Sequence, residues 1–338
     1  VSKADAAAAV LWIGATLYAV FGGADFGAGF WSLAAGEGER GKRARRLIDA
    51  AIGPVWEANH VWLIFILVIL WTAFSTAFEA ITSTLFIPLS LAAFGIVLRG
   101  SGFAFQEVAD RASRRHLAER LFAASSVITP FFMGTVVGAI ASGRVPVGNA
   151  AGDPVTSWLN PVSILVGILF VATGTYLAAV FLISDARRFG EADLERYFAD
   201  RALVAAIGTG AIAIAGIFVL RADARHIYDG LTSDGLPLVV ASALCGLGAL
   251  VLIRRRARLG VRELAVGAVV AIIWGWGVAQ FPYLLPESLT ISDGAATGDT
   301  LTMVLVVFGA AVVLVIPAIA LLYTLTQRNV LGSESEEQ

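Results

Sequence analysis

Two carboxylates lie inside apolar sequence: Asp25, within Gly22-Gly-Ala-Asp-Phe-Gly-Ala-Gly29, and Glu57, within Pro54-Val-Trp-Glu-Ala-Asn-His-Val-Trp62. An ionisable group at the middle of a membrane span costs roughly 2.5–3.5 kcal/mol on the insertion scale, so each one is a functional candidate whose partner must be found. Carboxylic acids in low-dielectric surroundings can take up and release protons near neutral pH, which is what a proton relay requires. His60 follows Glu57 by three residues on the same helix face, where it could orient that carboxylate, relay protons or bind a metal. Trp56 and Asn59 flank it, and Trp62 closes the segment. Each carboxylate also has a structural reading. Glu57 just inside Pro54 suits the positive end of a helix macrodipole, and Asp25 among glycines suits pairing with another helix.

Other chemistries lack their residues. The one cysteine, Cys245, excludes an intrachain disulfide or thiolate cluster and reads as a small apolar helix residue. His116 lies in a basic connection and His226 in a connection on the opposite side, leaving His60 as the embedded imidazole, which argues against a bis-histidine haem held by this chain. Met133 and Met303 read as packing residues rather than axial partners. There is no Walker loop, no paired metal-ligand spacing and no Ser–His nucleophile arrangement.

The elements that must position these groups follow from composition. Of 338 residues, 58% are hydrophobic and 15% charged, with 35 glycines and a mean hydropathy of +0.80. Such a chain is an integral membrane protein, which excludes soluble enzymes, nucleic-acid binders and secreted disulfide scaffolds. Apolar stretches of about 20 residues predict nine transmembrane helices in an all-α fold. They lie near 5–35, 54–78, 80–99, 121–141, 162–183, 202–220, 236–253, 264–281 and 301–325, in a single polytopic unit over 1–338 ending in an acidic tail, 332–338. Glycines 22, 23, 27 and 29 predict that the first helix is tilted, locally irregular or closely packed.

Basic residues set the orientation. Arg40, Lys42, Arg43, Arg45 and Arg46 follow the first helix, Arg99, Arg111, Arg114, Arg115 and Arg120 the third, Arg187, Arg188, Arg196 and Arg201 the fifth, and Arg254, Arg255, Arg256, Arg258 and Arg262 the seventh. The other connections hold Arg144, Arg221 and Arg225. The N-terminus is therefore expected outside and the C-terminus in the cytoplasm, with Asp25 and Glu57 in the cytoplasmic half of the bilayer. Arg99 reads as a snorkelling cation at a cytoplasmic helix end. Trp274-Gly-Trp-Gly-Val-Ala-Gln-Phe-Pro-Tyr283 ends the eighth helix as an interfacial aromatic segment, and Gln280 with Pro282 suggests a specific helix end.

Four separated segments in register carry a resemblance. Gly23-Ala-Asp-Phe-Gly-Ala-Gly29, Gly53-Pro-Val-Trp-Glu-Ala-Asn-His-Val-Trp-Leu63, Arg99-Gly-Ser-Gly-Phe-Ala-Phe105, and Gln280-Phe-Pro-Tyr-Leu-Leu-Pro286 with Ser288-Leu-Thr290 together resemble subunit II of the cytochrome bd quinol oxidases, including their cyanide-insensitive relatives. The order of segments, the nine spans and the length agree along essentially the whole chain.

That resemblance implies a bacterial cytoplasmic-membrane oxidase that takes electrons from quinol and reduces dioxygen to water. It implies a heterodimer with a haem-bearing subunit I, which would hold haem b and haem d and the quinol-oxidising loop, with no cofactor in the present chain. A small accessory subunit and a structural quinone are further candidates, membrane lipid is the surroundings, and nucleic acid has no part. Subunit II would supply a cytoplasmic proton-uptake path and a hydrophobic oxygen route. Glu57 takes the acidic position of the family's Trp-Asp/Glu-x-Asn motif, assigned to proton uptake. Asp25 takes the second acid of its Asp/Glu-Gly-Phe-Asp motif, and Trp62 matches the tryptophan near the oxygen route. The sequence departs at Gly22, where the first acid of that motif stands, and at Ala24, where its Phe stands. Ala104 and Gln106 replace residues often charged, and His60 stands where glutamine is common, beside Glu57. An ion-coupled secondary transporter is the alternative from another class, against which an odd span count without internal repeats argues. A purely structural membrane partner is the third reading.

Overall fold

A computed structural model describes residues 2–52, 56–108 and 112–327. The described residues are almost wholly helical. The elements are α1 (Lys3–Leu17), a π-helical turn (Tyr18–Gly22), α2 (Gly23–Ala34), α3 (Glu39–Ile52), α4 (Trp56–Ala73), α5 (Ser75–Thr84), α6 (Phe86–Val108) and α7 (Ala112–Ala141). After them come α8 (Pro161–Arg188), α9 (Ala192–Asp223), α10 (Arg225–Thr232), α11 (Leu236–Arg254), α12 (Val261–Gln280), the strands β1 (Tyr283–Leu285) and β2 (Leu289–Thr290), α13 (Ile291–Gly294) and α14 (Gly298–Gln327).

Seven of these helical segments are long and apolar enough to cross a membrane; an eighth is the pair Asn59–Ala73 and Ser75–Thr84, bent by 118°, and Phe86–Gly102 is a shorter apolar helix. The nine apolar regions expected from the sequence are thus all helical, and the chain is an all-α multi-pass membrane protein. Boundaries differ where the chain breaks. The second region does not run straight to residue 78: Phe74 leaves helical geometry (φ −139°, ψ 53°), and α5 departs as a separate, sharply bent helix. Leu85 breaks the helix again (φ −102°, ψ 28°), so the third region begins at Phe86 rather than 80 and continues to Val108. The basic connection after the first region is itself a helix, α3, with Ala44, Leu47, Ile48 and Ile52 buried on one stripe at the helical period of an amphipathic segment.

Local sequence explains the ends. Ser2 and Asp5 form a reciprocal capping box at the start of α1, satisfying two orphan N–H groups. Asn160 caps α8 by accepting from the Ser163 N–H at 3.0 Å, with Pro161 at the first helical position. Gln280 ends α12: its Nε2 donates to the Leu284 carbonyl at 3.0 Å and its Oε1 accepts from Trp276 Nε1 at 3.3 Å. That end is specific, as the sequence suggested, and leads into the β1–β2 hairpin.

Three apolar clusters hold the helices together. One joins α2, α3, α8, α9, α11 and α12 around Trp31, Ile48, Leu177, Phe198 and Ile253. A second joins α1, α4, α5 and the hairpin around Val10, Phe74, Leu85 and Leu285. The third closes α7, α8, α9 and α10 through Ala141, Val162, Leu220 and Ile227.

Candidate functional site

The first span is irregular where its glycines predict. The π-helical turn Tyr18–Gly22 interrupts it immediately before the turn that carries Asp25; single π turns inside helices often mark functional sites. Beyond it, small residues let four helices approach closely. A Cβ on Gly27 would run into the backbone carbonyl of Gly174 in α8, one on Gly29 into Ser126 Oγ of α7, and one on Gly95 into Thr129 Oγ1. Small-residue contacts of this kind are how helices pack where lipid removes the hydrophobic incentive to associate.

This packing seats Arg99 of α6 against Asp25 of α2. Arg99 Nη2 donates to Asp25 Oδ1 at 2.7 Å and to the Asp25 backbone carbonyl at 3.0 Å, while Nη1 donates to Ser126 Oγ. Ser126 Oγ in turn donates to the Phe122 carbonyl at 2.8 Å. The guanidinium carbon lies 4.2 Å from the Phe122 ring centroid and 5.0 Å from that of Phe26, within cation–π range. Arg99 is 0% and Asp25 3% exposed.

Arg99 is therefore not a snorkelling cation at a helix end. With α6 starting at Phe86, Arg99 sits 13 residues, or about 20 Å, along the helix, where its charge is neutralised by Asp25 and two aromatic faces. The structural alternative for Asp25, pairing with another helix, holds at its Oδ1. Its Oδ2 is buried and accepts no hydrogen bond among the described residues, so the carboxylate keeps an acceptor directed into the interior.

His60 of α4 joins this group. Its ring packs edge-on against Phe26 at 5.9 Å and Tyr18 at 6.4 Å between centroids, and the Tyr18 hydroxyl lies 3.6 Å from Met133 Sδ. The structure thus brings Asp25, Arg99 and His60 together around Phe26. Asn59 is buried beside His60 on α4. Trp62, two residues on and so on another face of the helix, is half-buried and stacks edge-on with Phe65 at 6.3 Å. Trp56 and Glu57 are in the first turn of α4, but their side chains lie outside the described residues. Tyr18, Phe26, Phe122 and Ser126 are contributors that residue types alone did not single out; their apolar and small character reads as ordinary span sequence.

This arrangement can hold a proton at a carboxylate oxygen with a fixed cation on one side and an imidazole close by. Aromatic rings pack His60, and among the described residues no trio of His, Cys, Asp and Glu groups converges on a point. His226 is in α10, its ring 5.3 Å from that of Tyr283.

Comparison with known proteins shows the family. Residues 4–326 match the family model described as cytochrome bd terminal oxidase subunit II. The chain is 22% identical over 337 residues to a putative cytochrome bd menaquinol oxidase subunit II of Bacillus subtilis (strain 168), covering 96% of this chain and 95% of that one. It is 25% identical over 359 residues to the cytochrome bd-I ubiquinol oxidase subunit 2 of Escherichia coli (strain K12), covering 93% and 89%. Its fold is similar to a chain of the solved bd oxidase from Geobacillus thermodenitrificans, with a TM-score of 0.77 at 27% identity, over 96% of this chain and 98% of that one. A match running through all the membrane helices displaces the transporter reading, and the chain belongs to the cytochrome bd terminal oxidase subunit II family, the multi-pass second subunit of a bacterial quinol-oxidising respiratory complex.

Proposed function

We propose that this chain carries cytoplasmic protons toward the haem-bearing subunit I through Glu57, His60 and Asp25, and shapes an oxygen route lined in part by Trp56, Asn59 and Trp62. The orientation that goes with this reading has the N-terminus outside and the C-terminus in the cytoplasm, which the basic connections favour. The chain acts as one polytopic unit over 1–338.

The observation that carries the proposal is that the buried Asp25 Oδ2 accepts no hydrogen bond among the described residues, while Oδ1 is fixed by Arg99. Arg99, pinned by Ser126 and two rings, holds the carboxylate in one orientation. His60 adds a titratable group packed against the neighbouring Phe26. Haem b and haem d in subunit I supply the electron transfer and oxygen reduction. The present chain binds, orients and delivers protons, and consumption of cytoplasmic protons while quinol releases its own outside separates charge.

Replacing Glu57 by Gln in the assembled oxidase tests the entry point. Oxygen consumption should fall with haem content unchanged. Unaltered turnover would demote Glu57 to a helix-end residue.

A further inference from the structure

Two of the four connections rich in arginine leave a cavity of about 200 Å³ where α8 and α11 end and α9 and α12 begin. Ile183, Ile253 and Val261 form an apolar wall; Arg187, Arg196, Arg256 and Glu195 form the rim. Two helices terminate here and two start, so their macrodipoles largely cancel and the side chains decide the sign. Arg187 is fixed by Glu195, through Nε at 3.1 Å and Nη2 at 2.7 Å, and by the Arg258 carbonyl at 3.0 Å. That pair neutralises itself. Arg196 and Arg256 have no carboxylate within ion-pairing distance among the described residues, and the rim carries an excess of two positive charges beside an apolar wall.

A second observation singles out Arg256. The C-terminus of α11 closes as a Schellman motif: the Ala257 N–H donates to the Leu252 carbonyl at 2.9 Å and the Arg256 N–H to the Ile253 carbonyl at 3.0 Å. Arg256 occupies the left-handed position of that motif, with φ +52°, where glycine is the usual residue. Keeping a long cation where the backbone favours glycine marks strain of the sort held at functional positions.

Above the rim, Val204 and Ile207 of α9 are exposed on the side of the helix that carries Arg196, giving an apolar strip beyond the charged rim. Charge at the membrane end and hydrocarbon beyond it match one ligand chemistry. We infer that this cavity binds the phosphate headgroup of an anionic phospholipid, with Arg196 and Arg256 on the phosphate and an acyl chain along α9. Only the choice of leaflet, the cytoplasmic one, rests on the proposed orientation; the site does not depend on the proton path.

Native mass spectrometry of the intact two-subunit oxidase in mild detergent tests this, with phosphatidylglycerol, phosphatidylcholine or inorganic phosphate added. Phosphatidylglycerol should be retained by the native complex, and Arg196→Gln with Arg256→Gly should weaken retention by roughly 30-fold. Arg256→Gly restores the preferred residue of the motif, so haem content and subunit pairing should not change. Equal retention by the double variant would overturn the site, as would equal retention of phosphatidylcholine by the native complex. Should the double variant fail to assemble, the native complex still decides: if inorganic phosphate displaces phosphatidylglycerol at equal concentration, the cavity is an ion site and not a lipid site.

Discussion

Arg99 Nη2 donates to both the carboxylate and the backbone carbonyl of Asp25, so one guanidinium nitrogen ties the side chain and the main chain of α2 to α6. The pair is wholly buried. Two charges taken out of water are held only if geometry and added hydrogen bonds offset desolvation. Ser126 and the rings of Phe122 and Phe26 provide that offset here.

Breaking the pair from the arginine side leaves an uncompensated buried carboxylate. Arg99→Leu should destabilise the subunit by about 3–5 kcal/mol, read as a lower thermal midpoint of the assembled oxidase. Asp25→Leu with Arg99→Leu should recover a substantial part of that loss. A double variant as unstable as the single one would show that Arg99 matters through its contacts to Ser126 and the rings.

The approach of α2 to α8 should be just as sensitive. Gly27→Ala places a methyl on the Gly174 carbonyl, backbone against backbone, and should cost about 1–3 kcal/mol or block assembly. Gly208→Ala meets nothing within 4 Å and should be tolerated. Expression level and thermal midpoint of the two variants, measured side by side, check the contrast.

On the opposite side from the arginine-rich connections, Arg144 donates to both oxygens of Asp223, at 3.0 and 2.5 Å, linking the end of α7 to the end of α9. Both side chains are partly exposed. Arg144→Gln should therefore cost at most about 1 kcal/mol, and the difference from the native protein should shrink in high salt. A larger, salt-insensitive loss in the thermal midpoint would contradict this.

The 142–160 connection carries an acid-sensitive turn. The backbone N–H groups of Thr156 and Val155 donate to Asp153 Oδ1 at 2.7 and 2.9 Å, holding its carboxyl below the ordinary value of 3.8. A carboxyl depressed in the folded state adds stability above its unfolded pKa and loses it as pH falls through the lower folded value. The hydrogen-exchange protection factors of Val155 and Thr156, taken relative to the intrinsic rate at each pH, should fall below about pH 4. Asp153→Asn should show much of that looseness already at neutral pH.

Much of this architecture was legible beforehand because apolar length and arginine placement are strong signals in a membrane chain. All nine helical regions follow from apolar length, and the irregular first span from its glycines. What escaped was the pair of breaks at Phe74 and Leu85: no glycine or proline announces the first, and Pro88 in the first turn of α6 was the one local signal for the second. Those breaks move the start of α6 downstream, and with it Arg99 from an apparent helix end to the interior. Its setting held one hint: Gly100, Ser101 and Gly102 are followed by Phe103, Ala104 and Phe105, so the apolar run continues past the arginine. That Asp25 needed a partner was readable from its burial cost. That the partner was Arg99 required the close approach of α2, α6 and α7, which depends on small residues in three separate segments.

The most direct test of the central claim is oxygen consumption, per haem and at saturating quinol, by the assembled oxidase carrying Asp25→Asn. Asparagine keeps the shape and an acceptor for Arg99 but cannot carry a proton. Removing the buried anion lowers the thermal midpoint, so turnover is read per haem in the oxidase that assembles, where the account predicts a reduction of at least about tenfold. Native turnover per haem would contradict it and leave Asp25 as the structural counter-ion of Arg99.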